Sequence, residues 1–483
     1  MINFGPISNV IGVLLVVIGT LMLTALPFSW YYQTGQGLSI LYSSLITLSC
    51  GAFFWFIKFS NSNNVNKREG YLIVTLGWLS LVVFGMLPYL FSGSIPTITS
   101  AFFETVSGTT TTGASVLTDI EAVPKDILFW RSMTQWIGGM GIIVLTVALF
   151  PLLGIGGIEL FVAEAPGPTS DKLHPRIRET AKRLWLIYVS LTASLVLLLM
   201  WGGMTFYDAI NHALTTMATG GFSTKNASIA HFESAFIQYT LILFMFLAGT
   251  NFSMIYWGLK GRIKRVWKNE EFRSYFLLTA VATLLVLRVV YIVSDQTFEK
   301  SLRDSLFQVV SVVTTTGFVS ADYTSWSESI TLLFFVLLFV GGSAGSTAGG
   351  IKHIRHLVFF RNSLLEFKRI LHPRAIVPLK INGEVVAPRI MTHVIIFLLI
   401  YLMTFLLGSF AVSALGLDFL TSIGAVATCL GNVGPGIGEV GPVDNFSAVP
   451  MGAKWVLSFL MLLGRLELFT ILVLFTPYFW KSN

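Results

Sequence analysis

Charge is scarce in this chain. Only 11% of its 483 residues are Asp, Glu, Lys or Arg, about half the share of an ordinary soluble domain. Cysteine is rarer still: Cys50 and Cys429 both lie in apolar surroundings and supply neither a disulfide framework nor metal-binding spacing. The seven histidines show no ligand spacing either, and His353 and His356 sit beside a basic connector, where solvation is the default. HExxH, paired catalytic carboxylates and a nucleophile elbow are all missing, which argues against an enzyme. No Gly-Lys-Ser/Thr closes the glycine-rich run 341–350, because the chain continues Gly350-Ile351-Lys352, so a phosphate-binding loop is disfavoured. The first apolar run, Val10 to Phe28, lacks a basic start and a small-residue cleavage site. It reads as a retained helix rather than a signal peptide.

What the chain has in abundance is apolar sequence. It is 54% hydrophobic, with runs of membrane-spanning length, so the fold class is an all-α integral membrane protein in contact with lipid. A formal charge of +7 raises the question of nucleic acid, but the basic residues fall between apolar spans and topology accounts for them. Two spans come first, at 6–28 and 38–58, within an N-terminal region 1–66. Four units of span, short helix, turn and span then follow at 67–170, 171–268, 269–378 and 379–483. Lys and Arg crowd the connectors 58–68, 172–183, 260–273 and 352–380, which the positive-inside rule puts in the cytoplasm with both termini. Ten spanning helices and four half-length helices result, the units being parallel rather than inverted. Within the last basic connector, Asn382-Gly383 between β-prone runs predicts a small hairpin over 376–386.

The units are tied together by a recurring turn. Aligned on glycine, they offer Thr110-Thr111-Thr112-Gly113-Ala114, Met217-Ala218-Thr219-Gly220-Gly221, Thr314-Thr315-Thr316-Gly317-Phe318 and Thr428-Cys429-Leu430-Gly431-Asn432. Each follows a short amphipathic segment opened by Ser100, Asp208, Asp304 or Asp418, residues favoured as helix N-caps. Four short helices would then aim their negative ends at the turns, which suits a cation. Glycine lets backbone carbonyls point where a β-carbon would interfere, and a ring of carbonyls can replace an ion's hydration shell. The expected cation ligands are Thr111, Thr112 and Gly113 in the first turn and Ala218, Thr219 and Gly220 in the second. Thr315, Thr316 and Gly317 in the third and Cys429, Leu430, Gly431 and Asn432 in the fourth complete a pseudo-fourfold pore.

Two further features concern its control. The run 341–350 holds Gly341, Gly342, Gly345, Ser346, Thr347, Gly349 and Gly350, too much glycine for a regular helix. Irregular backbone is tolerated in a membrane only inside protein or beside water, so an intramembrane gating loop beneath the turns is expected rather than a flexible linker. Arg465 lies inside the apolar run Trp455 to Phe475, and a guanidinium facing the pore as an electrostatic barrier is favoured over one held by Glu467 or by helix-end carbonyls. Asp119, Glu121, Asp322 and Glu328 read mainly as solvated loop charge at the outer side, and Gly138-Gly139-Met140-Gly141 as close helix packing.

These residues resemble the Trk/Ktr/HKT superfamily of cation transporters, and within it the bacterial Trk-type potassium-uptake membrane subunits, the TrkH kind. The resemblance is carried by the four turns, Gln135-Trp136-Ile137-Gly138-Gly139-Met140-Gly141-Ile142, the connector from Pro166-Gly167-Pro168 to Lys182, Gly341 to Gly350, Gly464-Arg465-Leu466-Glu467 and Leu474-Phe475-Thr476-Pro477. The two extra N-terminal helices favour Trk over Ktr. It implies potassium ions in the filter, with no organic cofactor in this chain, and a homodimer in the bacterial inner membrane. It also implies gating by a cytosolic nucleotide-binding subunit of the RCK type, TrkA-like. Glycine in the turns is associated in that family with potassium, and serine in the first turn with sodium. A proton- or sodium-coupled potassium symporter with the same filter is the alternative; a membrane enzyme or small-solute carrier is a more distant one.

Overall fold

The computed structural model describes residues 4–56, 66–141, 177–375 and 377–481. The chain is an all-α membrane protein, with one two-stranded hairpin among the described residues. The two N-terminal spans, Phe4–Tyr32 and Gly37–Phe56, cross at close range because glycine lines their contact. A β-carbon on Gly12 would press on the backbone of Gly51 and Trp55, and one on Gly51 on Gly12 and Val16. Small residues let helices meet without any hydrophobic drive between them in lipid.

Four helical groups follow in chain order. The first has a span over Arg68–Ser92, a short helix Ile98–Thr109, and Lys125–Trp136 widening into a π-helical turn at Ile137–Gly141. The remainder of its expected second span, with the connector bearing Lys172 and Arg176, lies outside the described residues, as does the polar stretch 57–65. The second group runs Ile177–Trp201, Phe206–Met217 and Ala235–Ala248, the last turning by 112° into Phe252–Leu259. The third runs Glu270–Val293, Phe298–Val313 and Glu328–Leu337, then an irregular stretch, then His353–Leu371. The fourth runs Pro388–Ala414, Phe419–Gly431 and Met451–Arg465, which bends by 108° into Phe469–Phe475.

Among the described residues, six helices are long and apolar enough to cross a membrane, eight if each bent pair is one span. The two others expected are the second helices of the first and third groups. One leaves the described residues, and the other has only 10 helical residues before its break. Among the described residues, the second helices of the second, third and fourth groups are interrupted.

Three of the four short helices begin earlier than expected. Thr97, Thr205 and Thr297 cap the first three, each hydroxyl accepting the amide three residues on, while Asp418 caps the fourth as expected. Asp208 instead returns a bond to its cap, accepting the Thr205 hydroxyl at 2.7 Å, and Asp304 falls in the helix interior. The hairpin forms between Lys380–Ile381 and Glu384–Val385, with Asn382 and Gly383 both left-handed (φ 53° and 83°), as a tight two-residue turn requires. Ile376 lies outside the described residues. Asn382 anchors the hairpin by accepting the Glu270 amide at 2.8 Å, and Arg361 pairs with Glu270.

Candidate functional site

Each short helix ends in the same hydrogen-bonded turn. The amides of Thr112, Gly220, Thr316 and Val433 reach back five residues to Ser107, Thr215, Ser311 and Thr428 at 2.8, 2.8, 2.8 and 3.0 Å. The preceding residues, Thr111, Thr219, Thr315 and Asn432, are left-handed, with φ of 56°, 54°, 55° and 53°. This is a Schellman closure, which glycine or asparagine normally supplies. Asn432 conforms. Threonine there is costly because its branched β-carbon crowds the carbonyl, and such strain gathers at functional sites.

This register corrects two of the four sequence alignments. The left-handed glycines two residues further on are Gly113, Gly221, Gly317 and Gly434, so the second turn is displaced by one residue and the fourth by three. Gly220 occupies the position of Thr112, and Ala218 that of Thr110. Cys429, Leu430 and Gly431 are the last residues of their helix, not turn residues. Gly221, Val433 and Gly434 were missed. The signal was available in Gly431-Asn432-Val433-Gly434-Pro435, where asparagine suits the left-handed position and glycine follows two later.

The corrected glycines close a ring. A β-carbon on Gly113 would overlap the carbonyl oxygen of Gly220, one on Gly221 that of Thr316, and one on Gly317 that of Val433. One on Gly434 would lie 2.6 Å from the carbonyl oxygen of Thr112, which completes the circuit. Each glycine thus makes room for the carbonyl just ahead of the equivalent glycine in the next group. The four contacts form a closed cycle that links all four turns through backbone carbonyls.

The run 341–350 folds against this ring. Gly341–Ala344 and Thr347–Gly350 are buried, with Gly345 exposed between them. The Gly349 amide donates to the Thr315 hydroxyl at 2.6 Å, and the Thr347 hydroxyl to the carbonyls of Met217 and Ala248 at 3.0 and 3.1 Å. A β-carbon on Gly349 would meet Asn432 and the Gly431 carbonyl. The run also satisfies the broken ends of its neighbours: Ser343 donates its amide to Gly249 at 2.9 Å, and Gly345 accepts that of Phe252 at 3.0 Å. Glu271 accepts the Ala344 amide at 2.7 Å. The run is a built element.

Arg465 ends its helix at the bend of the pair Met451–Arg465 and Phe469–Phe475, and it is half-buried. It donates to the carbonyls of Thr347 at 2.8 Å, Gly138 at 2.6 Å and Gly139 at 2.8 Å. Sequence reasoning favoured a guanidinium presented to the pore; the structure binds it to carbonyls. The π-helical turn and the irregular run have oxygens without helical partners, and a planar five-donor group can reach several at once. Glu467 pairs with Arg355. Gly138 and Gly139 pack closely, their β-positions overlapping Thr109 and Ala218 of two short-helix ends.

The cation transport protein family TrkH matches residues 37–482. The chain belongs to that family. It is 41% identical to the Trk system potassium uptake protein TrkH of Escherichia coli K12, over 99% of this chain and 100% of that one. It is 39% identical to the TrkH of Halomonas elongata, over 99% of each chain. The crystal structure of the potassium transporter TrkH from Vibrio parahaemolyticus superposes with a TM-score of 0.89 at 37% identity, covering 99% of this chain and 100% of that one.

In this TrkH-family chain the turns are braced by buried polar side chains that sequence reasoning did not single out. Glu104, fully buried, accepts from the Arg131 guanidinium at 2.7 Å, the Ser115 hydroxyl at 2.9 Å and the Val116 amide at 2.8 Å. Arg131 reaches on to the Ser223 carbonyl at 3.2 Å and lies 3.4 Å over the Phe222 ring, so one ion pair spans the first two turns. His212, one group along at the matching helix position, holds Ser223 at 2.9 Å. Removing one partner of a buried pair strands the other charge. Glu104→Ala is therefore expected to cost about 3–5 kcal/mol, read as a lower thermal unfolding midpoint in detergent. Glu104→Gln, which keeps an acceptor, should lose less. An unchanged midpoint in Glu104→Ala would remove this role.

Three of the acidic loop residues are engaged, two of them by the loop of the next group. Asp119 accepts the Asn226 side chain at 2.9 Å, and that bond, with help from the Glu121 and Ala122 amides, holds its carboxyl below the usual range. Glu121 pairs with Lys225 at 3.6 Å, and Asp322 accepts the Thr324 amide at 2.9 Å.

Proposed function

We propose that this chain conducts potassium into a bacterial cell through a passive pore whose filter is the ring of carbonyls at Thr112, Gly220, Thr316 and Val433. The observation carrying this reading is the cyclic contact of each carbonyl with a glycine of the next turn, which supports a ring of oxygens that could take the place of an ion's water. A second layer comes from Thr111, Thr219, Thr315 and Asn432. The Thr111 hydroxyl is buried without a hydrogen-bond partner, a state a bound cation would relieve. Relatives named as potassium uptake proteins support potassium over sodium. The chain would lie in the inner membrane with both termini cytoplasmic, as the basic connectors suggest. The run 341–350 and Arg465 would form the gate beneath the filter. A second copy and a cytosolic RCK-type nucleotide-binding subunit would complete the system, as the family resemblance implies.

The test is rubidium uptake into liposomes containing this chain, driven by an outward potassium gradient alone. Uptake that competes with external potassium and loses selectivity in Gly113→Ser supports a passive filter. Uptake only when a proton or sodium gradient is imposed would replace it with coupled transport.

A further inference from the structure

The four ring carbonyls are not equivalent. Among the described residues, those of Thr112, Thr316 and Val433 accept no hydrogen bond, whereas that of Gly220 accepts the Gln135 side-chain amide at 2.6 Å. The same side chain's oxygen accepts the Phe222 amide at 3.1 Å. The orientation is unambiguous because a carbonyl only accepts and a backbone amide only donates. Gln135 is fully buried and belongs to the first group's second helix, so it clasps the turn of a neighbouring group. It also explains why Gly220 is glycine. The Gly221 position needs a left-handed residue, but Gly220 needs space, since a β-carbon there would overlap the Gln135 amide.

We propose that Gln135 is the positioning residue that sets the second quadrant of the ring and, through it, the discrimination between potassium and sodium. This rests on the filter reading above. Its two bonds straddle Gly221, the most pliable residue of the turn, and hold the peptide on either side of it. The N–H on the Gly220 oxygen has a second effect. It draws on electron density that would otherwise face the ion, so that quadrant offers a weaker field. Weaker, fixed dipoles favour the cation that gives up water more readily, which is the larger one. Without Gln135, the Gly220 carbonyl gains field strength and freedom to turn, and both changes favour sodium.

The experiment measures rubidium uptake by the full chain in liposomes, with potassium and sodium as competitors. Wild type is measured first: if it does not distinguish the two ions, the filter reading itself fails. With wild-type discrimination in hand, Gln135→Leu, similar in volume, should still take up rubidium. Its preference for potassium over sodium should fall about five-fold, the worth of one ordinary hydrogen bond. A mere packing role leaves that ratio where it was, and an unchanged ratio overturns the proposal. A second pair covers a Gln135→Leu that does not fold. Gly220→Ala alone should silence uptake by collision, and Gly220→Ala with Gln135→Ala should restore it with weakened discrimination. A double variant that stays silent, or that returns with full discrimination, also overturns it.

Discussion

Gly317→Ala is expected to reduce selective rubidium uptake by at least about a hundred-fold while the protein still assembles in the membrane. Two costs combine. A left-handed alanine is disfavoured by about 1–2 kcal/mol, and its β-carbon would overlap the Val433 carbonyl while lying 2.8 Å from Pro435 Cδ. The ring opens at that joint, since neither a carbonyl nor a proline ring can yield like a flexible side chain. A total near 3 kcal/mol corresponds to roughly a hundred-fold in occupancy of the working geometry. The corrected register makes the same forecast for Gly221→Ala and Gly434→Ala. Uptake and ion preference close to wild type in any of the three, measured in liposomes against folded protein, would mean that the ring is not the path.

The second large effect concerns the layer below. Deleting part of 343–349 should raise rubidium flux about ten-fold or more without altering ion preference. The run touches three turns, through Thr347 on Met217, Gly349 on the Thr315 hydroxyl and Gly349 against Asn432, yet contributes no atom to the carbonyl ring. Arg465→Gln should move flux in the same direction by a smaller factor, because it removes the guanidinium that joins Thr347 to Gly138 and Gly139. A hydrogen bond from a charged donor contributes about 1.5–3 kcal/mol, enough to hold such a run shut. Flux unchanged in both variants, with wild-type chromatographic behaviour, would show that the run is only structural.

Much of the fold was legible because membrane helices announce themselves. Apolar length marks the long spans, glycine marks the turns, and Asn382-Gly383 marks the hairpin. The first and third turns were also readable, since Thr-Thr-Thr-Gly carries both the strained and the pliable position in an unbroken string. The fourth was misread because Gly431 looks like the recurring glycine while it stands at the end of a helix, its β-position 2.8 Å from the Leu338 carbonyl oxygen. What matters there is Asn432 in a left-handed position, a backbone property no residue count reveals. The braces were less accessible still. Glu104 and Arg131 are 27 residues apart, and Gln135 acts on Gly220 across 85. Such pairings depend on which helices pack together, information spread over the whole chain. Arg465 shows the same limit, because its partners exist only once two other segments have departed from regular helix.

The ring's last joint has a consequence for how the protein is made. Gly434 seats the Thr112 carbonyl, and Asn432 donates to the Thr112 hydroxyl at 3.0 Å across 320 residues of chain. Contacts so distant in sequence form late and slowly. On a ribosome feeding the membrane from the N-terminus, three sides of the conduit can stand before the fourth is synthesised. On the filter reading proposed above, a chain stalled or cut short of Gly434 is a cup with one wall missing, able to insert but unable to sort ions. Ion sorting, on this account, is the last property the nascent protein acquires.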